Sequence, residues 1–398
     1  MTRRTVLDGY LNLGHAFDHL LMLVYPTVLL AIGRDVVGGY GEALRLSFWG
    51  FLAFGACSLP AGWLGDRWSR RAMMIVFFIG IGAASILTGF ARSPFEIAAG
   101  LTLVGVFAAI YHPVGMAMLV SGRDDIGRAL GVNGVAGNLG VAFASLIAAG
   151  LAQAIHWRAA FIVPGAAAIV AGIVFALAVR PTDPGVRAAA RLSAAARPHT
   201  AATMRRVFLV LMVATIFGGL IFNATTIAMP KLFAERLQAL AGTTFEVGAL
   251  VSGVYVLAAV AQLCVGRMID RRGLKGILIA IVACQVPFLY VAGTARGWVM
   301  LAVAIAMMFV VFGQIPINDA MVARYTDERW RSRVYALRYV AAFGASVMAV
   351  PLVAYLHDTA GGFEPTFVVL AAFAAGTLAA SFVIPPGQGR TVHAQGPA

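Results

Sequence analysis

A ten-residue segment occurs twice in this sequence, with the two copies 204 residues apart. The first copy begins at Gly62 and reads G-W-L-G-D-R-W-S-R-R, and the second begins at Gly266 and reads G-R-M-I-D-R-R-G-L-K. Each copy has an Asp four residues after its first Gly, then basic residues, and lies between two long apolar runs. Because the chain has 398 residues, this offset indicates that one half of the sequence duplicates the other.

Two further pairs of prolines support the duplication. Pro26 and Pro230 are also 204 residues apart, and each closes the first apolar run of its half. Pro113 and Pro316 are 203 residues apart, and each lies in the fourth run of its half. The duplication therefore extends well beyond the ten-residue segment.

The composition excludes a soluble globular protein. The chain is 61% hydrophobic and only 12% charged, which leaves too little polar surface to cover a soluble fold. Apolar runs of about 20 residues are long enough to cross the ~30 Å hydrocarbon core of a membrane as helices. Twelve such runs are predicted, at 6–31, 45–64, 72–91, 95–120, 129–155, 157–180, 205–230, 245–266, 276–293, 298–323, 334–356 and 364–384.

These runs predict an all-α, polytopic membrane protein with twelve transmembrane helices in two pseudo-symmetric six-helix bundles. Residues 1–180 form the first bundle and 205–384 the second. Between them, 181–204 is rich in Pro, Arg and Ala and is predicted to be a cytoplasmic linker, and 385–398 a disordered cytoplasmic tail. Two parallel halves of apolar segments are typical of transporters that arose by duplication.

The distribution of basic residues predicts the orientation in the membrane. If the N-terminus is cytoplasmic, 22 Lys and Arg residues fall in cytoplasmic segments and seven on the opposite face. This asymmetry predicts that both termini are cytoplasmic in a bacterial-type inner membrane. The net charge of +13 is then spread over loops that face anionic membrane lipids, so nucleic acid is not an expected partner.

Polar residues inside the predicted spans are candidate functional residues, because ionisable groups are costly at membrane depth. Four of them, His15, Asp18, His19 and Tyr25, fall within an arc of roughly 120° on the first predicted helix, so they share one face. The other candidates for the cavity between the bundles are Tyr111, His112, Asn223, Gln314, Asn318, Asp319 and Arg338.

Three interpretations of the first helix remain open. In the first, Asp18 is a carboxyl that takes up and releases protons during transport, and His15, His19 or His112 stabilises its charged form or relays protons. Alternatively, His15, Asp18 and His19 bind a divalent metal ion that is the cargo, since imidazole and carboxylate are suitable ligands. As a third possibility, these groups only satisfy one another in a structural network. Asp319 has two interpretations: it either couples to protons or pairs with Arg324 or Arg338.

A stripe of glycines lies on the fifth predicted helix at three-residue spacing. It comprises Gly131, Gly134, Gly137 and Gly140. Small residues at such spacing let helix backbones approach closely, so the stripe predicts tight packing between helices, with a gating hinge as the alternative.

The repeated segments resemble the loop signature of the major facilitator superfamily, although Ser69 stands where a second Gly is usual. This resemblance implies two six-helix bundles with a central substrate cavity that works by alternating access. An Asp at a helix end can cap a neighbouring helix and pair with Arg across the loop. We therefore expect a conformational latch, with basic anchors for the membrane as the alternative. Its residues are Gly62, Asp66, Arg67, Arg70, Arg71, Gly266, Asp270, Arg271, Gly273 and Lys275.

A narrower resemblance, to the fosmidomycin-resistance-type drug exporters, is carried by His15, Pro26, the segments 111–113 and 137–140. It implies proton-driven drug export. Two features depart from that subgroup: the acid of the first helix is at position 18 with a second His after it, and Ala144-Ser145 replaces a Gly-Pro pair. The second departure leaves the direction of transport open.

The sequence therefore predicts a proton-coupled secondary exporter of a small organic molecule that acts as a monomer. An importer or uniporter, including a divalent-metal carrier, is the alternative within transport, and a non-transporting sensor or assembly factor is the alternative outside it. Motifs of hydrolases, zinc proteases and nucleotide-binding loops are absent from the sequence, so we expect neither enzymatic activity nor a cofactor.

Overall fold

A computed structural model describes residues 3–33, 38–121, 126–180, 201–271, 274–325 and 328–384. These residues form helices and no strand. Most of the predicted linker and the whole predicted tail, 385–398, lie outside the described residues. The helix after the linker begins at Ala201, so the last four residues of the predicted linker are helical.

Twelve long helices cover the described residues. In the first half they are α1 (Arg3–Val28), α2 (Phe48–Arg67), α3 (Arg70–Gly89), α4 (94–120), α5 (Ile126–Ala154) and α6 (Ala159–Ala178). In the second half they are α7 (Ala201–Arg236), α8 (Thr244–Arg271), α9 (Leu274–Ala292), α10 (Gly297–Tyr325), α11 (Glu328–Ala360) and α12 (Glu364–Ser381). A short helix, Tyr40–Arg45, precedes α2.

Eleven helices among the described residues are long and apolar enough to cross a membrane, and α2 together with the short helix counts as one of them. The remaining long helix is α1, which has 26 residues. His15, Asp18 and His19 lower its hydropathy. The all-α fold of a polytopic membrane protein is therefore confirmed.

The same helix pairs pack in both halves. In the first half α1 packs on α5, α2 on α4 and α3 on α6; in the second half α7 packs on α11, α8 on α10 and α9 on α12. Buried apolar side chains form two clusters, each centred in one half. The packing therefore repeats with the sequence, as two related six-helix bundles require.

Hydrogen bonds at the helix starts explain where α4 and α8 begin. Ser93 Oγ accepts a hydrogen bond from the backbone N of Glu96 (3.3 Å), and the Glu96 carboxylate accepts one from the backbone N of Arg92 (2.7 Å). At the start of α8 the pair is reciprocal: Thr243 Oγ1 accepts from the backbone N of Glu246 (3.2 Å), and the Glu246 carboxylate accepts from the backbone N of Thr243 (3.0 Å). These contacts satisfy the N–H groups that the first turn of a helix leaves without a partner.

The two halves contact each other mainly through α5 with α8 and α2 with α11. We call the end of the molecule that carries Arg3 and the α2–α3 connection the basic side, and the other end the opposite side. Hydrogen bonds along the α5–α8 interface begin with Asn138 Nδ2 to Gln262 Oε1 (2.8 Å). They continue to the opposite side, where the backbone N of Phe245 donates to Gln153 Oε1 (2.8 Å).

The opposite side is closed by contacts between the short helix of the first half and α11 of the second. Asp358 on α11 accepts hydrogen bonds from the backbone N of Gly41 (3.1 Å) and from Arg45 (3.2 Å). The rings of Tyr40 and His357 are in edge contact, with centroids 4.7 Å apart. These cross-half contacts hold the opposite side shut in this conformation.

The glycine stripe of α5 divides into two pairs. A Cβ at Gly137 would lie 2.6 Å from the ring of His15, and a Cβ at Gly140 would overlap the backbone carbonyl of Ala16. At Gly131 and Gly134 nothing lies within 4 Å. The prediction of tight packing along the whole stripe is therefore wrong for the first pair, because α1 approaches α5 closely only at the second pair.

This division predicts different outcomes for two equivalent substitutions. We expect Gly140→Ala to destabilise the protein by about 1–3 kcal/mol, because backbone atoms of α1 must move to admit the methyl group. Gly134→Ala, the matched control on the same helix, should be neutral or stabilising by about 0.5–1 kcal/mol, since the methyl enters open space and alanine favours the helix. Thermal unfolding of the two purified variants measures the difference, and equal losses of stability would contradict the packing described here.

Candidate functional site

Four ionisable side chains from α1 and α4 meet inside the first half. His15, Asp18 and His19 project from α1, and His112 projects from α4. The ring centroid of His112 is 5.2 Å from that of His15 and 5.7 Å from that of His19. The predicted face of α1 therefore forms a cluster with His112, and we refer to these four residues as the histidine–aspartate cluster.

Asp18 is the most deeply placed member of this cluster, with none of its surface exposed. Its Oδ2 lies 3.4 Å from Nε2 of His112. Among the described residues, neither carboxylate oxygen accepts a hydrogen bond, so the contact with His112 is a close approach rather than a hydrogen bond. A buried carboxylate with so little compensation is costly in its charged form, and it is therefore suited to bind a proton.

The imidazole of His15 is fixed from three directions. Its Nδ1 lies 2.8 Å from the backbone carbonyl of Asn133 on α5, its face stacks on Tyr111, and the Cα of Gly137 lies against it. A backbone carbonyl can only accept, so Nδ1 carries the hydrogen and Nε2 presents its lone pair. That Nε2 lies 3.2 Å from Nε2 of His19.

An amide and hydroxyl network supports the cluster from behind. Tyr111 donates to the backbone carbonyl of Leu11 (2.8 Å), and Asn133 Nδ2 donates to Tyr111 Oη (2.8 Å) and to Asn12 Oδ1 (3.0 Å). Sequence reasoning did not select Asn133. Asn133 could have been recognised as an amide side chain within an apolar run, which is the feature that made Asn223 a candidate.

A π-helical turn, Tyr111–Gly115, places His112 toward α1. Pro113 lies in this turn and has no backbone N–H to donate, so a regular helix cannot continue through it. The wider turn inserts an additional residue, which changes the direction in which His112 projects. Such single π turns occur frequently at functional sites.

Two aromatic residues predicted to line the cavity are instead packed in the interior. Tyr111 is fully buried beneath His15, and Tyr25 is 1% exposed. The hydroxyl of Tyr25 donates to the backbone carbonyl of Ala43 at 2.7 Å, which attaches the short helix to α1. In this conformation both side chains are part of the packing, and their assignment to the substrate cavity stays a prediction.

The predicted polar residues of the second half do not form a matching cluster. Gln314 on α10 is 4% exposed and accepts a hydrogen bond from Gln285 (2.9 Å), so it is part of the packing of the second half. Asn223 on α7 donates to the backbone carbonyl of Gly219 in its own helix (2.8 Å). Asn318 on α10 is also buried.

Asp319 on α10 forms an ion pair with Arg338 on α11. This contact matches the charge-pair interpretation of Asp319, with Arg338 as the partner. It also compensates the cation that the sequence places inside α11. The side chain of Arg324, the other predicted partner, lies outside the described residues.

The predicted latch residues of the first half lie where α2 ends and α3 begins. Asp66 and Arg67 belong to the last turn of α2, and Arg70 Nη2 donates to Asp66 Oδ1 at 2.7 Å. The guanidinium of Arg67 lies 4.9 Å from the centroid of the Trp63 ring. The contacts described for Asp66 and Arg67 are thus within the first half. Gly62 packs against Pro113, with a Cβ there 3.2 Å from that proline.

The last basic residue of each repeated segment caps a helix. Arg71 donates to the backbone carbonyls of Ala176 and Val179 at the end of α6. Lys275, its counterpart, donates to the carbonyl of Phe382 at the end of α12 (2.9 Å). Cations at helix C-termini satisfy unpaired carbonyls and complement the helix dipole. In the second copy, a Cβ added at Gly266 would meet no described atom of another element within 4 Å, whereas Gly273 and the side chains of Asp270 and Arg271 lie outside the described residues.

A cavity of about 610 Å³ lies on the opposite side, between the end of α1, the short helix and the α7–α8 connection. Its walls include Leu29, Tyr40, Lys231 and Gln238. None of the residues predicted for the substrate cavity borders it. We therefore place the candidate site at the histidine–aspartate cluster, where four ionisable side chains of two long helices meet.

Comparisons with known proteins identify relatives whose sequences match part of this chain. A puromycin resistance protein of Streptomyces alboniger is 34% identical over 110 residues, 27% of this chain and 22% of that protein. A probable actinorhodin transporter of Streptomyces coelicolor is 28% identical over 170 residues, 40% of this chain and 29% of that protein. The aligned segments thus span less than a third of these relatives' lengths.

Solved structures match over nearly the whole chain. The crystal structure of a bacterial homologue of the human lysosomal transporter Spinster, in an inward-facing and occupied conformation, aligns with a TM-score of 0.72 at 13% identity. It covers 96% of this chain and 95% of that one. A POT family transporter in complex with 5-aminolevulinic acid aligns with a TM-score of 0.76 at 12% identity, covering 96% and 95% of the two chains. At these identities the match shows the fold.

The sequence profile of the Major Facilitator Superfamily matches residues 20–240 and again 236–397. The two matches together cover almost the whole chain, and the first runs past the linker to the end of α7. Together with the repeated helix packing, they show that the chain is a membrane transporter that belongs to the Major Facilitator Superfamily.

Proposed function

We propose that this transporter is a secondary active exporter that moves a small organic molecule out of the cell in exchange for protons. The single observation that carries the proton coupling is the fully buried Asp18, whose neighbour His112 is the one charged or chargeable group described within salt-bridge distance of it. A carboxyl in this position is neutral while a proton is bound. Once the proton is released, the buried negative charge is energetically unfavourable. In this proposal, the conformational change of transport offsets the free-energy cost of the charged carboxylate.

The cluster lies close to the interface between the halves. Phe54 on α2 connects them: its ring centroid is 5.9 Å from that of His112 and 5.2 Å from that of Phe343 on α11 of the second half. A change in the charge of the Asp18–His112 pair therefore acts next to a contact that must break when the halves rotate. This proximity supports the pair as the coupling group and Arg338–Asp319 as a structural ion pair.

The closed opposite side supports alternating access between the two halves. With both termini in the cytoplasm, as the basic residues indicate, the side that the Asp358 contacts close faces away from the cytoplasm. Rotation of the halves about the α5–α8 and α2–α11 interfaces would then open this side. In this proposal the protein acts as a monomer in a bacterial inner membrane, surrounded by lipid.

Three relatives support export as the direction. They are named as a puromycin resistance protein, a probable actinorhodin transporter and a tetracenomycin C resistance and export protein. We therefore propose an aromatic or polycyclic antibiotic-like compound as the substrate class. The aromatic residues Phe54 and Phe343 beside the cluster are compatible with such a molecule.

Everted membrane vesicles test this function directly. Vesicles that contain the protein should accumulate a radiolabelled or fluorescent compound of this class when their interior is acidified by respiration, and a protonophore should abolish the accumulation. Vesicles without the protein are the control. Accumulation that persists after the proton gradient is collapsed would reject proton coupling, and loss of preloaded compound from acidified vesicles would reverse the direction.

A further inference from the structure

Three imidazoles of the histidine–aspartate cluster point their nitrogens at one another. His15 and His19 are one turn apart on α1, so their side chains lie on the same face of that helix. His112 reaches them from the π turn of α4. One ring nitrogen from each of the three lies within 4.8 Å of the other two.

We propose that His15, His19 and His112 form a binding site for a divalent transition-metal ion. This ligand set differs from the set expected from the sequence, because His112 takes the place of Asp18. The proposal concerns binding to the first half alone and does not depend on the proposed export function.

The distances suit a tetrahedral ion such as Zn²⁺. Two imidazole nitrogens that each lie about 2.0–2.1 Å from zinc are roughly 3.4 Å apart in a tetrahedral site. The Nε2 atoms of His15 and His19 are 3.2 Å apart. A nitrogen of His112 lies within 4.8 Å of both, so this ring must move toward them to complete the site, and water or another ligand supplies the fourth position.

The groups behind the ligands have the arrangement that orients metal-binding histidines. The hydrogen on Nδ1 of His15 is directed to the carbonyl of Asn133 at 2.8 Å, which leaves Nε2 free to coordinate. The carboxylate of Asp18 lies 3.4 Å from Nε2 of His112 without a hydrogen bond in this conformation, close enough for a small movement to form one. Carbonyl and carboxylate partners of this kind fix the ring orientation and increase the basicity of the ligand.

Asp18 is a second, independent indication of a cation. Its carboxylate is fully buried, and neither oxygen accepts a hydrogen bond in the part of the chain that the structure describes. A divalent ion on the adjacent imidazoles would compensate this charge without exposing it to water. Imidazole ligands favour Zn²⁺, Co²⁺, Ni²⁺ and Cu²⁺ over Mg²⁺ and Ca²⁺, which prefer oxygen.

The test is a calorimetric titration of Zn²⁺ into the purified full-length protein in detergent, without substrate or a proton gradient. We expect one ion to bind per chain. Asp18→Asn should weaken binding by about 10–100-fold, the usual effect of losing a partner of a ligand, and His19→Ala or His112→Ala should weaken it further. Co²⁺ should give the visible absorption bands of a four-coordinate, nitrogen-ligated ion in the wild type and lose them in the same variants.

Matched controls are available among the other histidines. His156→Ala, in the exposed connection before α6, and His357→Ala, on the opposite side, should leave Zn²⁺ affinity unchanged. His19→Ala is the principal variant, since His15 is more deeply integrated in the Asn133 network, and size-exclusion chromatography confirms that each variant is folded. No binding by the wild type, or binding that survives both His19→Ala and His112→Ala, would overturn the proposal. Because the assay contains no transport step, its failure leaves the proposed export function separately testable.

Discussion

Replacing Asp18 with Asn should abolish proton-driven transport while the protein remains folded and inserted in the membrane. Asn has nearly the same shape as a protonated Asp, so the buried position next to His112 is preserved. It cannot release a proton, however, and the variant is held in the equivalent of the protonated form. We therefore expect substrate accumulation driven by a pH gradient in proteoliposomes to fall to the level of protein-free liposomes.

Substrate exchange separates coupling from binding in this variant. Equilibrium exchange of labelled for unlabelled compound requires no net proton movement, so Asp18→Asn should retain part of it. Asp8→Asn, on the same helix, is the matched control: Asp8 pairs with Arg4 at 3.3 Å and is partly exposed, and its substitution should leave the coupling intact. If Asp18→Asn keeps the wild-type dependence on the pH gradient, Asp18 is not the coupling group.

Asp66→Ala and Asp358→Ala should shift the conformational equilibrium in opposite directions. In the conformation described here, Asp66 pairs with Arg70 in its own half at an exposed position, where an ion pair contributes little. Under the latch hypothesis, Asp66 has its main effect when the basic side is closed. Its removal should therefore favour the conformation with an open basic side, by about 1–3 kcal/mol, or a factor of about 5–150 in the equilibrium.

Asp358 has the reverse role, because it joins the halves in the present conformation. It accepts hydrogen bonds from the backbone N of Gly41 and from Arg45 across the opposite side. The first is partly buried and, as a hydrogen bond to a charged group, contributes about 1.5–3 kcal/mol, whereas the exposed ion pair with Arg45 adds little. Its removal should favour opening of the opposite side and closure of the basic side. Asp270→Ala should act in the same direction as Asp66→Ala if the second copy of the segment also acts as a latch.

Distances between spin labels measure both shifts. In a cysteine-free background, labels at the exposed positions Trp68 and Phe382 report on the basic side, and labels at Ile155 and Trp298 report on the opposite side. Asp66→Ala should increase the population with long Trp68–Phe382 distances, and Asp358→Ala should decrease it. Unchanged distances in Asp66→Ala would leave Asp66, Arg67 and Arg70 as basic-side anchors, and equal shifts in both variants would contradict the opposed roles.

The sequence by itself determined the architecture of this transporter. Membrane insertion requires long apolar helices. Each such helix can be predicted from its own segment of sequence, because the thickness of the bilayer sets its length. The duplication can also be recognised from the sequence, because Gly62 and Gly266 are separated by the same 204 residues as Pro26 and Pro230. The shared face of His15, Asp18 and His19 follows from helix geometry alone. All of these are properties of single segments or of their spacing.

The tertiary structure alone decided which side chains meet. His112 joins His15 and His19 across about 100 residues of sequence because a π turn at Pro113 redirects it, and Asn133 supports them from a third helix. The same packing separates Gly137 and Gly140, which touch α1, from Gly131 and Gly134, which do not. Periodicity shows which face of a helix is polar or small, but it carries no information about which neighbour covers that face. In a membrane, where lipid and protein interiors are similarly apolar, only the close approach of particular helices settles that question.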